Sequence, residues 1–181
     1  MLSVFTWWLI SEILGLITFP LAFVVFKKLP GRGYAFAPPL GLLLVSYTLW
    51  LAASLGFLRN NWATIVFLFL LLALVSAFIV SRERAALADF WQKKRSLILS
   101  TELVFTVAFV AYAFFRAHDP SIDHTEQPMD FGFMNAILRS ESFPPRDAWL
   151  SGFAISYYYF GYLMMAVLTK LTALPSGVTY N

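Results

Sequence analysis

The chain has 181 residues, of which 60% are hydrophobic and only 13% are charged, with a formal net charge of +3. A soluble domain carries about a quarter charged residues, so this composition excludes an ordinary soluble protein and indicates a multi-spanning membrane protein. The chain has no cysteine, which excludes a disulfide framework, a thiolate metal site and a cysteine nucleophile within it. The basic residues cluster in loops between apolar runs, which explains the positive charge without a nucleic-acid partner.

Five apolar runs are long enough to cross a bilayer, which requires about 17–25 residues per helix. They predict transmembrane helices over Leu2–Phe26, Phe36–Leu58, Trp62–Val80, Leu97–Phe115 and Phe153–Leu174. The first run lacks a basic start and a small-residue cleavage site, which indicates a retained span and not a signal peptide. Period-two alternation is absent, so the predicted fold is an all-α integral membrane protein in a lipid bilayer.

The charges of the connecting loops predict the orientation. The first and third connections hold the basic clusters Lys27, Lys28, Arg32 and Arg82, Arg84, Lys93, Lys94, Arg95. Cytoplasmic loops carry the Lys/Arg excess, so both connections are expected to be cytoplasmic. The fourth connection, loop 116–152, is rich in acids, and it and the N-terminus are therefore expected to be extracytoplasmic in a multi-pass protein of the cell membrane.

This pattern of apolar runs and charged loops predicts three parts of the chain. Residues 1–80 form a three-helix transmembrane segment. Residues 81–96, SRERAALADFWQKKRS, predict a cytoplasmic amphipathic linker helix lying on anionic lipid. Residues 97–181 comprise a span, the loop 116–152 and a further span. The closing PSGVTYN has the character of a turn that leads into further structure, so we expect this chain to be the N-terminal part of a longer protein.

Loop 116–152 contains an amphipathic helix that starts at Pro128, since proline is well tolerated at the first helical position. An apolar face consists of Met129, Phe131, Phe133, Met134, Ile137 and Leu138. Asp130 lies near the centre of that face. Its position in the first turn complements the helix dipole, but the dipole does not explain why the acid lies on the apolar face. An acid there is most favourable if the face packs on protein and the carboxylate points into a polar cavity, so Asp130 is a functional candidate.

The neighbouring polar residues are weaker candidates. Gln127 precedes a proline and is disfavoured from the helical region, so Glu126 is expected in an extended segment before the helix. His124 and Asp123 lie nearby, and imidazole and carboxylate groups are plausible ligands of a divalent cation. Their spacing matches no zinc signature. A solvated polar loop is the alternative for these three residues.

Several residues after the helix favour carbohydrate binding or membrane anchoring. Tyr157, Tyr158 and Tyr159 are predicted at the outer end of the fifth span, and Trp149 precedes them. Such residues form aromatic belts at the membrane interface, and aromatic faces also stack on sugar rings. Arg146 is an available cation for a phosphate group.

The segments TEQPMDFGFMNAILRS, FPPRDAWLSG and SYYYFGY, with WWLISEILGL and RGYAFAPPLGLLL near the start, resemble the prokaryotic YYY membrane proteins. That family resembles the polytopic GT-C glycosyltransferases, which use lipid-phosphate-linked sugars and place an acid in the first outer loop of a helical core. The resemblance implies that residues 97–181 begin a partial GT-C-like core and that the first three spans are an addition. It implies a polyprenyl-phosphate sugar donor and a catalytic role for Asp130 or Glu126.

Two functions therefore remain in view. The first is a glycosyltransferase in which Asp130 or Glu126 is the catalytic carboxylate and Tyr157, Tyr158, Tyr159, Trp149 and Arg146 bind substrate. A complete core needs more helices than this chain supplies, so the remaining core helices or other membrane proteins are expected partners. The second function is a non-catalytic multi-pass module whose loop helix docks other membrane proteins. The sequence predicts no particular cofactor, although the second acid, Glu126, is able to bind a divalent cation.

Overall fold

The computed structural model describes residues 2–150 and 152–181; Met1 and Ser151, the latter inside the predicted loop 116–152, lie outside the described residues. The fold is all-helical, as predicted, and the described residues contain no strand beyond one isolated bridge between Arg146 and Ala154. The elements are α1 (Leu2–Val25), a 3-10 turn (Tyr34–Phe36), α2 (Ala37–Ser54), α3 (Trp62–Lys93), α4 (Arg95–His118), α5 (Gln127–Arg139), α6 (Phe160–Thr172) and α7 (Ser176–Tyr180).

Four helices are long and apolar enough to cross a membrane: α1, α2 with its preceding 3-10 turn, α3 and α4. They correspond to the first four predicted spans. The fifth prediction, Phe153–Leu174, is wrong in its extent, because α6 has only 13 residues. Such a helix is about 20 Å long at 1.5 Å per residue, against a hydrocarbon core of about 30 Å. Residues 153–155 instead make backbone hydrogen bonds with residues 145 and 147, which keep them out of the helix.

A kink at Glu83 divides α3 near the predicted start of the linker 81–96, because Glu83 has the non-helical angles φ −111° and ψ 19°. The segment after Val80 contains no glycine or proline and is rich in Ala, Arg and Lys, which favour helix. It continues as a helix to Lys93, and Lys94 alone separates it from α4. The amphipathic segment is thus a helix that a kink sets apart from the third span.

Close packing of α1 on α2 depends on small residues, as is common between membrane helices. Gly41 of α2 faces Thr18 and Leu14 of α1, both fully or nearly fully buried. The Thr18 hydroxyl donates to the Leu14 carbonyl oxygen at 2.7 Å, so its polar group is satisfied within α1. A side chain at Gly41 would meet the Thr18 oxygen, and the helices would have to separate.

Replacing Gly41 by Ala is expected to destabilise the fold by about 1–3 kcal/mol, the usual cost of overpacking a tight core. The new Cβ would lie 2.1 Å from Thr18 Oγ1 and 2.7 Å from Leu14 Cδ1. Thermal unfolding in detergent measures the effect. Gly161→Ala is the matched control, because a Cβ there meets no atom within 4 Å. Equal unfolding midpoints for the two variants would contradict this packing.

The connections between the long helices lie at two opposite ends of these helices. At one end, Asn60 between α2 and α3 contacts the end of α5. At the other end, Gly31 between α1 and α2 lies against Leu97 at the start of α4. A second core of Phe19, Phe23, Ala37, Leu87, Phe90 and Ile98 fills that end. The basic connections and the acidic loop therefore occupy different ends, as alternating spans require.

Candidate functional site

Helix α5 is fixed at its C-terminal end by the short connection between α2 and α3. The side-chain amide of Asn60, a residue that is 4% exposed, donates to the carbonyl oxygens of Ile137 at 2.9 Å and Ser140 at 2.8 Å. The last carbonyls of a helix lack partners within it, so the buried amide gives the Ser140 carbonyl a donor and adds a second donor to the Ile137 carbonyl, which also accepts from the Ser140 N–H at 3.2 Å. The backbone N–H of Asn60 also donates to the Glu141 carbonyl at 2.8 Å. These bonds position α5.

The apolar face of α5 packs on protein. Phe133, Met134 and Ile137 are buried, and Met134 and Ile137 belong to the main core with Leu163 and Val167 of α6. The acid at position 130 had favoured an apolar face that is covered by protein. The structure has the covered arrangement, and α5 starts at Gln127 with Pro128 in its first turn.

Asp130 lies on this covered face and is half-buried. The hydroxyl of Tyr162 on α6 donates to Asp130 Oδ1 at 2.5 Å. A hydroxyl that donates to a carboxylate makes a short, charge-assisted bond, so α6 holds the side chain in place. Asp130 also lines a cavity of about 300 Å³ between α4, α5, α6 and α7. The carboxylate therefore faces a polar space bounded by protein.

Glu126 does not have the predicted conformation. It caps α5 with helical backbone angles, φ −91° and ψ −2°, and its carbonyl accepts from the N–H of Asp130 at 3.0 Å. The preference of a residue before proline for extended angles is overcome at Gln127, whose N–H donates to the His124 carbonyl at 2.9 Å. Thr125, with φ 45°, makes the turn into the helix. Glu126 is exposed and is not among the residues that line the cavity.

The three tyrosines divide between two environments. The hydroxyls of Tyr157 and Tyr158 lie 3.0 Å apart, and Tyr158 stacks on Tyr162 with ring centroids 6.3 Å apart. Tyr159 turns inward, and its hydroxyl accepts from Trp50 Nε1 of α2 at 2.8 Å. All three precede α6 and lie outside it, whereas the prediction had placed them within the fifth span. Tyr157 and Tyr158 thus form an exposed aromatic surface beside Tyr162.

The pKa of Tyr157 is raised to about 12. Its hydrogen bond with Tyr158 is the largest cause, and the charges of Glu126 and Asp130 add to it because a second negative charge is unfavourable beside them. The aromatic surface and the two acids of α5 therefore lie within electrostatic reach of one another.

Trp149 covers the middle of α5. Its indole lies over Gly132, where an added Cβ would be 2.5 Å from Trp149 Cη2, and it contacts Phe133 edge-on at 5.8 Å. Asp147 Oδ1 accepts from the N–H groups of Trp149 at 2.7 Å and Leu150 at 2.9 Å, which lowers the pKa of Asp147. The absence of a side chain at Gly132 is what allows the tryptophan to approach.

The remaining predicted residues lie apart from the cavity. Arg146 is exposed, pairs through its backbone with Ala154, and is not a lining residue. His124 Nε2 lies 3.2 Å from Asp119 Oδ2 and 3.6 Å from Asp123 Oδ1, and these side chains form a solvent-accessible polar cluster. Across residues 2–150 and 152–181, no group of three His, Asp or Glu side chains has the geometry of a metal site.

Several lining residues, among them Arg116, Gln127 and Tyr180, were not anticipated as site residues from the sequence. Arg116 lies in the last turn of α4 and donates to the Asn181 side chain. The pKa of Tyr180 is raised, chiefly by burial and then by the charge of Asp130. Tyr112 and Arg116, four residues apart, share a face of α4, which was the available signal. The residues that they meet are distant in sequence.

The fold and this cavity define a multi-pass helical membrane protein with a polar site between its helices and a helix, α5, in the loop after α4. The chain belongs to the family described as "Uncharacterized membrane protein (DUF2298)", whose model matches residues 44–181. The match covers most of α2 and all of α3 to α7, and thus most of the site. Comparisons with curated proteins and with solved structures gave no match.

Proposed function

We propose that the protein is a membrane glycosyltransferase that transfers a sugar from a lipid-phosphate-linked donor, with Asp130 as the base. The observation that supports this most is the position of Asp130, half-buried at a polar cavity and hydrogen-bonded by Tyr162. The resemblance to the YYY proteins and to GT-C glycosyltransferases supplies the reaction class. The family description names a membrane protein and no reaction.

The proposed transfer step needs one carboxylate, which acts as the base. The acceptor hydroxyl gives its proton to Asp130 while its oxygen attacks the anomeric carbon of the donor sugar. The bond between that carbon and the phosphate oxygen breaks, and the lipid phosphate leaves with the electron pair. Because Tyr162 engages Asp130 Oδ1, the second oxygen, Oδ2, is the proposed proton acceptor. Attack opposite the phosphate inverts the anomeric centre.

The aromatic surface beside the cavity suits sugar binding. Tyr157 and Tyr158 are exposed next to Tyr162, and Trp149 is exposed over α5. Aromatic faces stack on sugar rings while hydroxyls bond to them. Tyr159 has a different role, because its hydroxyl is engaged by Trp50 in the core. Glu126, exposed one turn before Asp130, is placed to orient an acceptor or to bind a cation.

The orientation is part of the same proposal. Basic connections lie at one end of the helices and loop 116–152 lies at the other, so the positive-inside rule assigns the loop and Asp130 to the outer face. Polyprenyl-linked donors that have been flipped across the membrane are then accessible to it.

Cysteine labelling is expected to confirm this orientation. The chain has no native cysteine, and Ser121 and Ser81 are both exposed. In intact cells, a membrane-impermeant maleimide should label Ser121→Cys and should label Ser81→Cys only after permeabilisation. The reverse pattern would place the acidic loop in the cytoplasm and contradict the proposal.

The alternative function is a non-catalytic docking module, in which the loop helix α5 contacts other membrane proteins. The apolar side chains Phe133, Met134 and Ile137 are buried against the chain's own helices, so that face is occupied. This observation favours the enzyme over the docking module.

The direct test uses the full-length protein in liposomes with a lipid-linked sugar donor and an acceptor. The proposal expects sugar transfer that depends on Asp130. Donor consumption that is the same with and without the Asp130 carboxylate would contradict it.

A further inference from the structure

Two acids lie within membrane-spanning helices, and the proposed reaction uses neither of them. Glu12 is in the middle of α1, and Glu102 lies about 10 Å from the start of α4 at 1.5 Å per residue. Each is the one acid of its helix. An acid inside a membrane span is costly unless another group engages it, so such residues are rare and usually functional.

The two acids face each other across the contact between α1 and α4. These helices run in opposite directions, because the start of α1 lines a cavity together with the end of α4. The indole N–H of Trp8 donates to the Thr106 hydroxyl at 3.3 Å. Glu12 follows Trp8 by one turn and Glu102 precedes Thr106 by one turn, and residues four apart share a helix face. The two carboxyl groups are accordingly close enough to interact directly.

A third group reaches this carboxyl pair from the 3-10 turn before α2. The hydroxyl of Tyr34 donates to Glu102 Oε1 at 2.6 Å. A hydrogen bond donated to an acid favours its charged form. Of the two acids, Glu102 is therefore the better placed to carry the negative charge, and Glu12 is the better placed to carry a proton.

No cation neutralises the carboxyl pair. Among residues 2–150 and 152–181, neither acid forms an ion pair. Helix α2 contains no charged residue, and the charged residues of α3 all follow Val80, at the basic end. On α4, Arg95 and Arg116 lie about two and about four turns from Glu102. Two adjacent carboxyl groups without a cation disfavour ionisation of both, and such a pair titrates as one unit.

Helix α4 depends on this polar contact because its apolar packing is sparse. Ile98, near its start, is its one buried residue, whereas α1 has seven buried residues. On the side toward loop 116–152, the two helices separate around a cavity of about 430 Å³, lined by Val4 of α1 and Phe109 of α4 among others. The carboxyl pair thus lies at the base of this gap, where it affects how close α4 stands to α1.

We propose that Glu12 and Glu102 form a protonation switch that holds α4 against α1. In the closed state the protonated carboxyl of Glu12 donates to Glu102, and Tyr34 donates to the same carboxylate. Release of the shared proton to water leaves two negative charges side by side, and α4 moves away from α1 to separate them.

The switch acts on the candidate site through the far end of α4. Arg116 lines the polar cavity at Asp130, so a shift of α4 changes one wall of that cavity. This consequence rests on the proposed function: sugar transfer should fall at alkaline pH, as the shared proton is lost. Glu12→Gln should abolish that fall, because the Gln amide donates to Glu102 at any pH.

The test measures distances between two spin labels in the full-length protein in lipid nanodiscs. This chain has no cysteine, so introduced cysteines define the labelled positions. Leu2→Cys with Phe115→Cys reports the separation of α1 and α4, and Leu2→Cys with Phe57→Cys, which omits α4, is the control pair. All three positions are exposed. From about pH 5 to about pH 9 the ratio of the longer to the shorter α1–α4 distance should rise at least tenfold, because release of one proton changes an equilibrium by up to tenfold per pH unit. The control distance should stay constant.

Substitutions assign the response to the carboxyl pair. Glu12→Gln and Glu102→Gln each remove one acid and keep a hydrogen-bonding side chain, so neither variant should respond to pH. Glu12→Gln should also keep α4 close to α1 throughout the range. Asp89→Asn, an exposed acid on α3, is the matched control and should keep the full response.

A pH response that persists in Glu12→Gln or in Glu102→Gln would overturn the switch, as would a constant α1–α4 distance in the unaltered protein or equal changes in both label pairs. The distances are measured without donor or acceptor, so they are separable from the transfer reaction. A response that needs Glu12, together with transfer that ignores Asp130, would reject the proposed function and retain the switch. Transfer that needs Asp130, together with a constant distance, would reject the switch alone.

Discussion

Replacing Asp130 by Asn is expected to lower sugar transfer by about 10²–10⁴-fold, the usual contribution of a general base. The amide keeps the size of the side chain and can still accept from Tyr162, so α5 and α6 should remain packed. It cannot take the acceptor proton at neutral pH. The rate constant of a single turnover with bound lipid-linked donor measures the chemical step separately from binding.

Asp89→Asn is the matched control for this change. Asp89 is an exposed acid on α3 that pairs with Lys93 one turn away at 2.8 Å, and exposed pairs of this kind contribute little. It lies at the opposite end of the helices from loop 116–152. Transfer by this variant should equal that of the unaltered protein. If both variants kept full activity, Asp130 would not be the base.

Glu126 is the competing carboxylate, and the same measurement separates the two. Because Glu126 is exposed and does not line the cavity, Glu126→Gln should lower transfer less than Asp130→Asn does. The opposite ranking would indicate that Glu126, at the start of α5, is the base.

Replacing Asn60 by Ala is expected to reduce the free energy of unfolding by about 1–3 kcal/mol. The change leaves the Ser140 carbonyl oxygen without its donor, whereas the Ile137 carbonyl oxygen loses one donor and keeps the Ser140 N–H at 3.2 Å. Because these bonds hold the end of α5, transfer should fall as well, even in protein that remains folded. Unfolding in detergent and hydrogen exchange at α5 measure the two effects.

The neighbouring residue provides the control. Asn61 caps α3 by accepting from the Thr64 N–H at 2.9 Å, and losing such a cap costs about 1 kcal/mol. Asn61→Ala should therefore destabilise α3 slightly and leave exchange at α5 unchanged. Faster exchange at α5 in both variants, by the same amount, would contradict a specific role for Asn60.

The long spans were predictable because their signal is local. Helices α1 and α3 start at Leu2 and Trp62, where the predicted spans start, since apolar runs of this length between polar loops have few alternatives in a membrane. The position of α5 in loop 116–152 was likewise predictable from Pro128 and from the helical period of its apolar residues.

Features that depend on distant contacts were not predictable in the same way. The start of α6 at Phe160 depends on backbone pairing across loop 116–152, which a count of apolar residues does not detect. The inward turn of Tyr159 depends on Trp50, more than a hundred residues earlier. Arg116 joins the cavity only because the ends of α4, α5 and α7 meet there. The catalytic role of Asp130 stays a prediction.

The most direct measurement of the central claim is the anomeric configuration of the transfer product, determined by NMR, from the full-length protein and a lipid-phosphate sugar donor of known configuration. One base at Asp130, acting on an acceptor opposite the phosphate, predicts complete inversion. Retention would mean that the acceptor does not attack directly opposite the phosphate, and it would contradict the proposed role of Asp130 as base. An absence of transfer from any lipid-phosphate donor would contradict the proposed reaction itself.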